Sequence, residues 1–331
     1  MTATMKAIVR TRYGSPDVLE VNEMDKPVPN NGQILVKVHA ASLNVADHYQ
    51  LRSRPLFIRI LSGSGLLRPK DPRLGADLAG RVEAVGGAVT RFQVGDEVFG
   101  TAVGALAEFV CAREDRLARK PTNLSFEACA AVPIAALTAL QALRDQGRIQ
   151  SGQQVLIQGA SGGVGTFAVQ IAKALGAEVT AVCSPRHVDQ ARATGANRVI
   201  DYTRDDFTKR RQTKRQRYDL IVGVNGYHSL SAYRRALRPK GTYVMIGASA
   251  HLFRALFQVM VLGRVLSRLG RKKTRFFIAS ITPQDLEVMK DLLEAGKVIP
   301  VIDRAFPLSE TAEAFRYLEE GHANGKVVIT V

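Results

Sequence analysis

Val155-Leu-Ile-Gln-Gly-Ala-Ser-Gly-Gly-Val-Gly-Thr166 reads as a strand, a glycine-rich turn and the start of a helix. In that order the residues can hold a diphosphate. Gly162, Gly163 and Gly165 permit a tight turn, a close approach of backbone to pyrophosphate and close packing of helix on strand, while the helix N-terminus presents free N–H groups to the phosphates. Glycine clusters also make ordinary structural turns. The strand-turn-helix setting separates a dinucleotide cradle from such a turn, so Ala160, Ser161, Gly162, Gly163, Val164 and Gly165 are the candidate phosphate contacts. A second strand, Val179 to Cys183, runs into Ser184-Pro-Arg-His187 with no acid at its end. An NAD site usually puts Asp or Glu there on the ribose hydroxyls, whereas a 2′-phosphate needs cations and donors. Arg186 can pair with that phosphate, Ser184 can donate to it, and His187 belongs to the same turn. The expected cofactor is NADPH.

These groups need a frame. From Gln154 to about Gly247 short apolar strands alternate with helical patterns: Val155 to Gln158, Val164 to Leu175, Val179 to Cys183, Val188 to Thr194, Leu220 to Val224 and Tyr243 to Ile246. Such alternation predicts right-handed crossovers and a Rossmann-type, doubly wound parallel sheet, an α/β fold. Met5 to Glu114 is strand-rich instead, with alternation in Ile34 to His39 and Arg81 to Val85 and turn residues between. Ser125 is a good N-cap for a following helix, with Glu127 in its first turn. After Thr282 come a helix (Pro283 to Ala295), a strand region (Ile299 to Phe306), a helix (Ser309 to Glu320) and a strand (Lys326 to Val331). This tail is assigned to the first domain, so a discontinuous β-rich domain of 1–125 and 283–331 surrounds a nucleotide-binding domain of 126–282.

The 331 residues are 46% apolar, as expected for a globular protein. Cys111, Cys129 and Cys183 show no paired spacing, which argues against a disulfide framework and for a reducing, cytoplasmic setting; no secretion leader is read at the start. The net charge of +16 favours anions without choosing among them. Two basic patches stand out, Lys209 to Arg217 and Arg264 to Arg275, whose plainest reading is a solvated face. The apolar segment Leu252 to Leu269 is interrupted by Arg254, Arg264 and Arg268, too broken to span a membrane. It reads as a basic amphipathic helix with three candidate roles, in order: a lid on the substrate site, a dimer-facing surface, or a contact with anionic lipid.

Gly152-Gln153, Leu156, Ala160-Ser161-Gly162-Gly163, Gly165, Gln170 and Lys173 resemble the signature of the quinone oxidoreductase and zeta-crystallin group of the medium-chain dehydrogenase/reductase superfamily. The likeness extends over nearly the whole chain, through Gly75 to Gly86, Val94 to Phe99, Ala131-Val-Pro133, Leu137 to Leu140 and Gly325 to Ile329, and is nearest to chloroplast-envelope quinone oxidoreductase homologues. It implies a GroES-like first domain. It also implies that Asn44 to Tyr49 lines the cleft beside the nicotinamide, with Asn44 orienting a carbonyl or the ribose and Tyr49 protonating or hydrogen-bonding an oxyanion. Each has a plainer alternative: Asn44 tying down a turn, Asp47 capping the next helix, Tyr49 or His48 packing or facing solvent. By the same resemblance Thr138 and Gly247 approach the nicotinamide, Tyr202 neighbours the adenosine phosphate or simply packs on the sheet, and Asn324 and Lys326 close the cleft from the C-terminal side.

Zinc enzymes of the superfamily carry a His-Glu pair after the glycine matching Gly75 and an early cysteine. Here the pair is Ala76-Asp77 and the early stretch is Ala41 to Asp47, neither offering the ligands catalytic zinc prefers. Gly223 also departs from the family, which commonly has an acid there. Without a metal, a conjugated enone or a quinone is the acceptor that needs only oriented donors and a proton source. The expectation is a zinc-free, NADPH-dependent quinone or enone reductase, a homodimer, with no specific nucleic acid as partner. Two other readings stay open: a moonlighting cofactor-binding protein using its basic face for RNA or membranes, and a zinc-free NADP-dependent alcohol dehydrogenase.

Overall fold

The computed structural model describes residues 3–53, 68–209, 217–247, 259, 262, 263, 267 and 270–331. Most of the loop Pro55 to Pro72, the middle of the first basic patch and most of Leu252 to Leu269 therefore lie outside the described residues. The chain divides into two compact units, one of Met1–Ala135, Ile281–Glu294 and Pro300–Val331, the other of Ala136–Ser280 with Ala295–Ile299.

In the first unit β1 (Thr4–Arg10) and β2 (Leu19–Asp25) form an antiparallel pair, and β3 (Gln33–Leu43), β4 (Asp77–Val85), β5 (Glu97–Thr101), β6 (Phe109–Arg113) and β7 (Leu117–Arg119) build an antiparallel sheet. β4 shows why. Asp77 to Gly80 are buried throughout, and from there Gly80 and Val82 are buried while Arg81 and Glu83 are exposed, the period of a strand whose far half has one wet face. β3 is buried more heavily, because it pairs with both β4 and β6 and carries Ile34, Val36 and Val38 into the core. Ser125 accepts a hydrogen bond from the Ala128 amide at 3.2 Å and caps the helix Phe126–Ala130.

The second unit begins with β8 (Gln154–Gln158) and continues through β9 (Glu178–Cys183), β10 (Arg198–Asp201), β11 (Tyr218–Gly223), β12 (Leu237–Met245) and β13 (Lys273–Phe276). All pairs are parallel, in the order β10-β9-β8-β11-β12-β13. Val155, Leu156 and Ile157 in β8 and Leu220, Ile221 and Val222 in β11 are buried without alternation, as central strands covered on both faces must be. The doubly wound parallel sheet is present as expected, with β10 and β13 as additional edge strands. From β8 the chain builds outward to β9 and β10, then returns to lay β11 on the other side. That reversal leaves a crevice at the carboxyl ends of β8 and β11, the usual ligand position of such sheets. The Gln170 side chain clasps Ile299, donating to its carbonyl at 2.9 Å and accepting from its amide at 2.8 Å.

The tail returns to the first unit as β14 (Ile302–Pro307), the helix Thr311–Glu319 and β15 (Lys326–Thr330). β15 pairs antiparallel with β3, Val328 opposite Ser42, while Phe315, Val327 and Ile329 enter the same core as Ile34 and Leu78. This is the separate GroES-like β domain. Among the described residues no helix is long and apolar enough to cross a membrane, and the three cysteines are free thiols.

Candidate functional site

In the second unit the turn after β8 is shaped by two glycines. Gly159 has φ +79, a conformation that favours glycine, and its amide and that of Ala160 both donate to the Val182 carbonyl at 3.1 Å, pinning the turn to β9. A Cβ on Gly165 would stand 2.0 Å from the Gly159 carbonyl oxygen and 2.8 Å from the Ala160 carbonyl carbon, so the first turn of the helix Gly163–Ala174 lies directly on the preceding loop. Gly162 is the N-cap in ordinary extended backbone, and its Cβ would come no nearer than 3.8 Å. The tight-turn role expected of the Gly162 to Gly165 cluster thus falls to Gly159, which the sequence reading did not single out. The first-turn amides of a helix, here from Gly163, Val164 and Gly165, have no partner within it. With the helix dipole behind them, they suit a diphosphate.

β9 ends at Cys183, whose buried thiol is pushed up to about 11 by burial. Ser184 follows, half-buried; Arg186 is exposed and pairs with no carboxylate among the described residues; His187 is buried. Tyr202 sits alongside, its amide donating to the Cys183 carbonyl at 3.2 Å and its ring edge-on to Tyr227 at 6.1 Å. An acid does occur nearby, Asp201 at the end of β10. Its Oδ1, however, accepts from the Thr203 amide at 2.9 Å and the Thr203 hydroxyl at 2.8 Å. Ser184, Arg186 and Tyr202 are therefore brought together at adjoining strand ends.

At the next pair of strands, Gly247 lies close to the chain leaving β11: its Cβ would be 2.7 Å from the Val224 carbonyl, and its own carbonyl accepts from the Gly226 amide at 3.1 Å. The departure at Gly223 has a steric partner. Tyr243 stacks on Tyr233 at 4.1 Å and places its hydroxyl 2.8 Å from where a Gly223 Cβ would be, leaving no room for an acid. Tyr233 donates to Gln158 Oε1 at 2.5 Å. Thr138 sits half-buried in the helix Pro133–Gln141.

In the first unit the polar residues converge on Asp77, which is fully buried. Its Oδ2 accepts from Ser42 Oγ at 3.1 Å, Asn44 Nδ2 at 2.9 Å and Lys326 Nζ at 3.3 Å; its Oδ1 accepts from the Ile134 amide at 3.0 Å. Lys326 Nζ, 3% exposed, also donates to Asn44 Oδ1 at 2.7 Å and the Leu43 carbonyl at 3.0 Å. Chemistry alone orients the Asn44 amide, since only its oxygen can face an ammonium and only its nitrogen a carboxylate.

Asn44 also opens the helix Val45–Arg52, and Asp47 reaches back to accept from its amide at 2.8 Å. Burial, first of all, pushes the Asp47 carboxyl up to about 7, the backbone hydrogen bond opposing and the nearby Asp77 charge adding. The far end of the helix is tied by Arg52 to Glu319, Nε to Oε1 at 2.8 Å and Nη2 to Oε2 at 2.5 Å, with His48 Nδ1 3.1 Å from the same carboxylate. Burial lowers the His48 pKa despite that carboxylate. Tyr49 rides between the two anchors, half-exposed, with no side chain among the described residues bonded to its hydroxyl. The Asn324 backbone amide donates to Asp303 Oδ2 at 3.0 Å.

Two family models match the chain: an alcohol dehydrogenase GroES-like domain over residues 30–122 and a zinc-binding dehydrogenase over 194–329. The mitochondrial NAD(P)H oxidoreductase RTN4IP1 of Mus musculus is 34% identical, the alignment covering 100% of this chain and 90% of the relative. The 2-methylene-furan-3-one reductase of Solanum lycopersicum is 34% identical over 98% of this chain and 79% of its own. The solved quinone oxidoreductase of Coxiella burnetii superposes with a TM-score of 0.85 at 31% identity, covering 99% of this chain and 100% of that one.

The donors present do not suit the zinc that the second family description names. Ala76 offers no ligand, both Asp77 oxygens already hold protein donors, and among the described residues no three His, Cys, Asp or Glu side chains gather as a metal site. Asp77 itself was read from the sequence only as a departure from a zinc pattern. The available signal was its place at the head of a buried apolar strand, mirrored by Lys326 at the head of another.

Proposed function

Since the chain belongs to the quinone oxidoreductase group of the medium-chain dehydrogenase/reductase superfamily and is an NAD(P)H-dependent oxidoreductase, we propose that it uses NADPH to reduce a quinone or an α,β-unsaturated carbonyl without zinc. The observation that carries the reading is the turn Gly159 to Gly165, where a helix N-terminus is packed so tightly on the loop that no side chain fits at Gly165. The names of its relatives, a quinone oxidoreductase and an enone-type reductase, support the acceptor class.

NADPH supplies the hydride. The amides of Gly163, Val164 and Gly165 hold the diphosphate, with Ala160, Ser161 and Gly162 along the same loop. Arg186 and Ser184 hold the 2′-phosphate beside Tyr202 and His187. Thr138 and Gly247 face the nicotinamide. Asn44, held between Lys326 and Asp77, orients the acceptor or the ribose, and Lys326 acts from behind it through Asn44 and Asp77. As hydride adds to the acceptor carbon, an electron pair moves to its oxygen. The Tyr49 hydroxyl donates to that oxyanion.

The direct test is NADPH oxidation with a panel of quinones, enones and simple ketones, run with and without a chelator. Turnover of the conjugated acceptors, unaffected by chelation, is expected; turnover only of alcohols or ketones, or activity restored by zinc, would overturn the reading.

Two variants test its parts. Arg186→Ala should weaken NADPH while sparing NADH, because a charge-assisted hydrogen bond is worth about 1.5–3 kcal/mol, roughly ten- to a hundred-fold in Kd. Equal loss for both cofactors in a binding titration would remove Arg186 from the phosphate site. Tyr49→Phe should slow single-turnover NADPH oxidation by about 10²- to 10³-fold on enones, the worth of one oxyanion donor, and less on the more electrophilic quinones. NADPH affinity should hold. A variant as fast as the parent on both classes would pass the role to water or a backbone donor.

A further inference from the structure

The two basic patches are not absorbed by this reading, and the structure brings part of them together. Between Asp219 and Asp285 the sequence contains no Asp or Glu but eleven Lys and Arg residues. Of that stretch, the helix Leu230–Ala236 and the approach to β13 border an open cavity of about 480 Å³, lined by Ser229, Ser231, Arg234, Arg235 and Lys272, with Leu230 and Leu262 as its apolar part. Its lining shares no residue with the Gly159 to Gly165 turn.

In a solvated basic face the cations splay apart, but here they are held together. Lys272 Nζ donates to the Arg234 carbonyl, and Arg234 Nη1 donates to the Lys272 carbonyl at 3.1 Å, so each cation fixes the other's backbone. Burial lowers the Lys272 pKa, and the nearby charges of Arg217 and Arg234 lower it further. Arg217 Nε is buried without a hydrogen-bond partner. Among the described residues no carboxylate forms an ion pair with Arg217, Arg235 or Lys272, and the undescribed stretches contain no acid to supply one. Asp219, the acid that opens the stretch, is taken by Arg238 at 2.6 Å.

We propose that this cavity is a binding site for a phosphate-bearing anion, separate from the nucleotide turn. The chemistry favours phosphate: guanidinium forks and an ammonium for a dianion, one hydroxyl of the bonded Ser229–Ser231 pair for a remaining oxygen, and a volume within the about 300–1,000 Å³ usual for small-ligand pockets. Neutralising clustered like charges makes binding favourable where no carboxylate does so already. A free phosphate compound and the headgroup of an anionic lipid present the same group.

The test uses NADPH-saturated protein, so that the nucleotide turn is filled, and compares the parent with Arg235→Glu, whose side chain is exposed and forms no ion pair among the described residues. Inorganic phosphate at constant ionic strength should raise the unfolding temperature of the parent with a saturable dependence, and Arg235→Glu should lose at least ten-fold in phosphate affinity with its NADPH affinity unchanged. Lys272→Gln serves as a second variant with the same expected loss. Vesicles of phosphatidylglycerol in phosphatidylcholine separate the sources. Sedimentation with them that free phosphate competes away and Arg235→Glu abolishes identifies a lipid headgroup; phosphate binding without vesicle binding identifies a soluble ligand. A parent that responds to phosphate no more than to chloride, or variants that respond as the parent does, would overturn the site. Because that comparison does not depend on turnover, its failure leaves the reductase reading untouched.

Discussion

Gly165→Ala is expected to abolish NADPH binding and to lower stability. The added Cβ would lie 2.0 Å from the Gly159 carbonyl oxygen, and the neighbouring loop cannot yield freely, because the Gly159 and Ala160 amides are both bonded to Val182. Overpacking of this kind costs about 1–3 kcal/mol when side chains can move aside; against pinned backbone the cost should reach or exceed that range. Relief requires the helix N-terminus to lift from the loop, which takes its free amides away from the diphosphate. A fluorescence titration should therefore show at least a hundred-fold loss of NADPH affinity, alongside a lower melting temperature. Gly162→Ala is the control. Its Cβ has 3.8 Å of room, so its melting temperature should stay close to the parent's. If Gly165→Ala bound NADPH and melted like the parent, the close contact of helix and loop would be wrong.

Lys326→Met should cost about 3–5 kcal/mol of stability, the usual price of leaving one partner of a buried ion pair alone. Methionine nearly fills the lysine stem's volume, so the loss reports the ammonium. Without it the Asp77 carboxylate, the Asn44 oxygen and the Leu43 carbonyl all lose a donor in a site that is 0–8% exposed. Urea denaturation should show a lower midpoint with an unchanged slope. Lys326→Met/Asp77→Asn should recover part of the loss, since the neutral amide removes the stranded charge while keeping an oxygen for Ser42 and Asn44. A single variant within about 1 kcal/mol of the parent would mean that the ammonium contributes little there.

The parts of the molecule legible in the sequence are those built from local pattern. β8, β9 and β11 are unbroken apolar runs with helical periods between them, and the parallel sheet follows from that alternation. β10 and β13 were not read. Each has four residues, with Arg198 and Asp201 in one and Lys273 and Arg275 in the other, so these edges look like solvated turns or a basic surface. The Ser184 to His187 turn was legible because a missing acid at a strand end is itself a pattern, although Asp201, turned toward Thr203, could be excluded only in three dimensions. Asn44 was legible by position and not by partner. Its partners Asp77 and Lys326 come from strands distant in sequence, and nothing local in Gly-Lys-Val-Val-Ile distinguishes a lysine reaching solvent from one buried on a carboxylate. The meeting of Arg217, Arg234 and Lys272 is non-local in the same way.

The pairing of β15 with β3 has a consequence for synthesis on the ribosome. Val328 opposes Ser42, and Lys326 meets Asp77. Closing loops of that length adds a chain-entropy cost that grows only with the logarithm of their length, but contacts of such high sequence separation form slowly. The second unit is continuous from Ala136 to Ser280 and needs only Ala295–Ile299 to be complete. It can therefore mature before β15 has emerged. The first unit cannot. Its Asp77 carboxylate waits, without its cation, until Lys326 has been joined and has emerged, so the nascent segment before Ala136 should remain open to water and to chaperones until β15 pairs with β3.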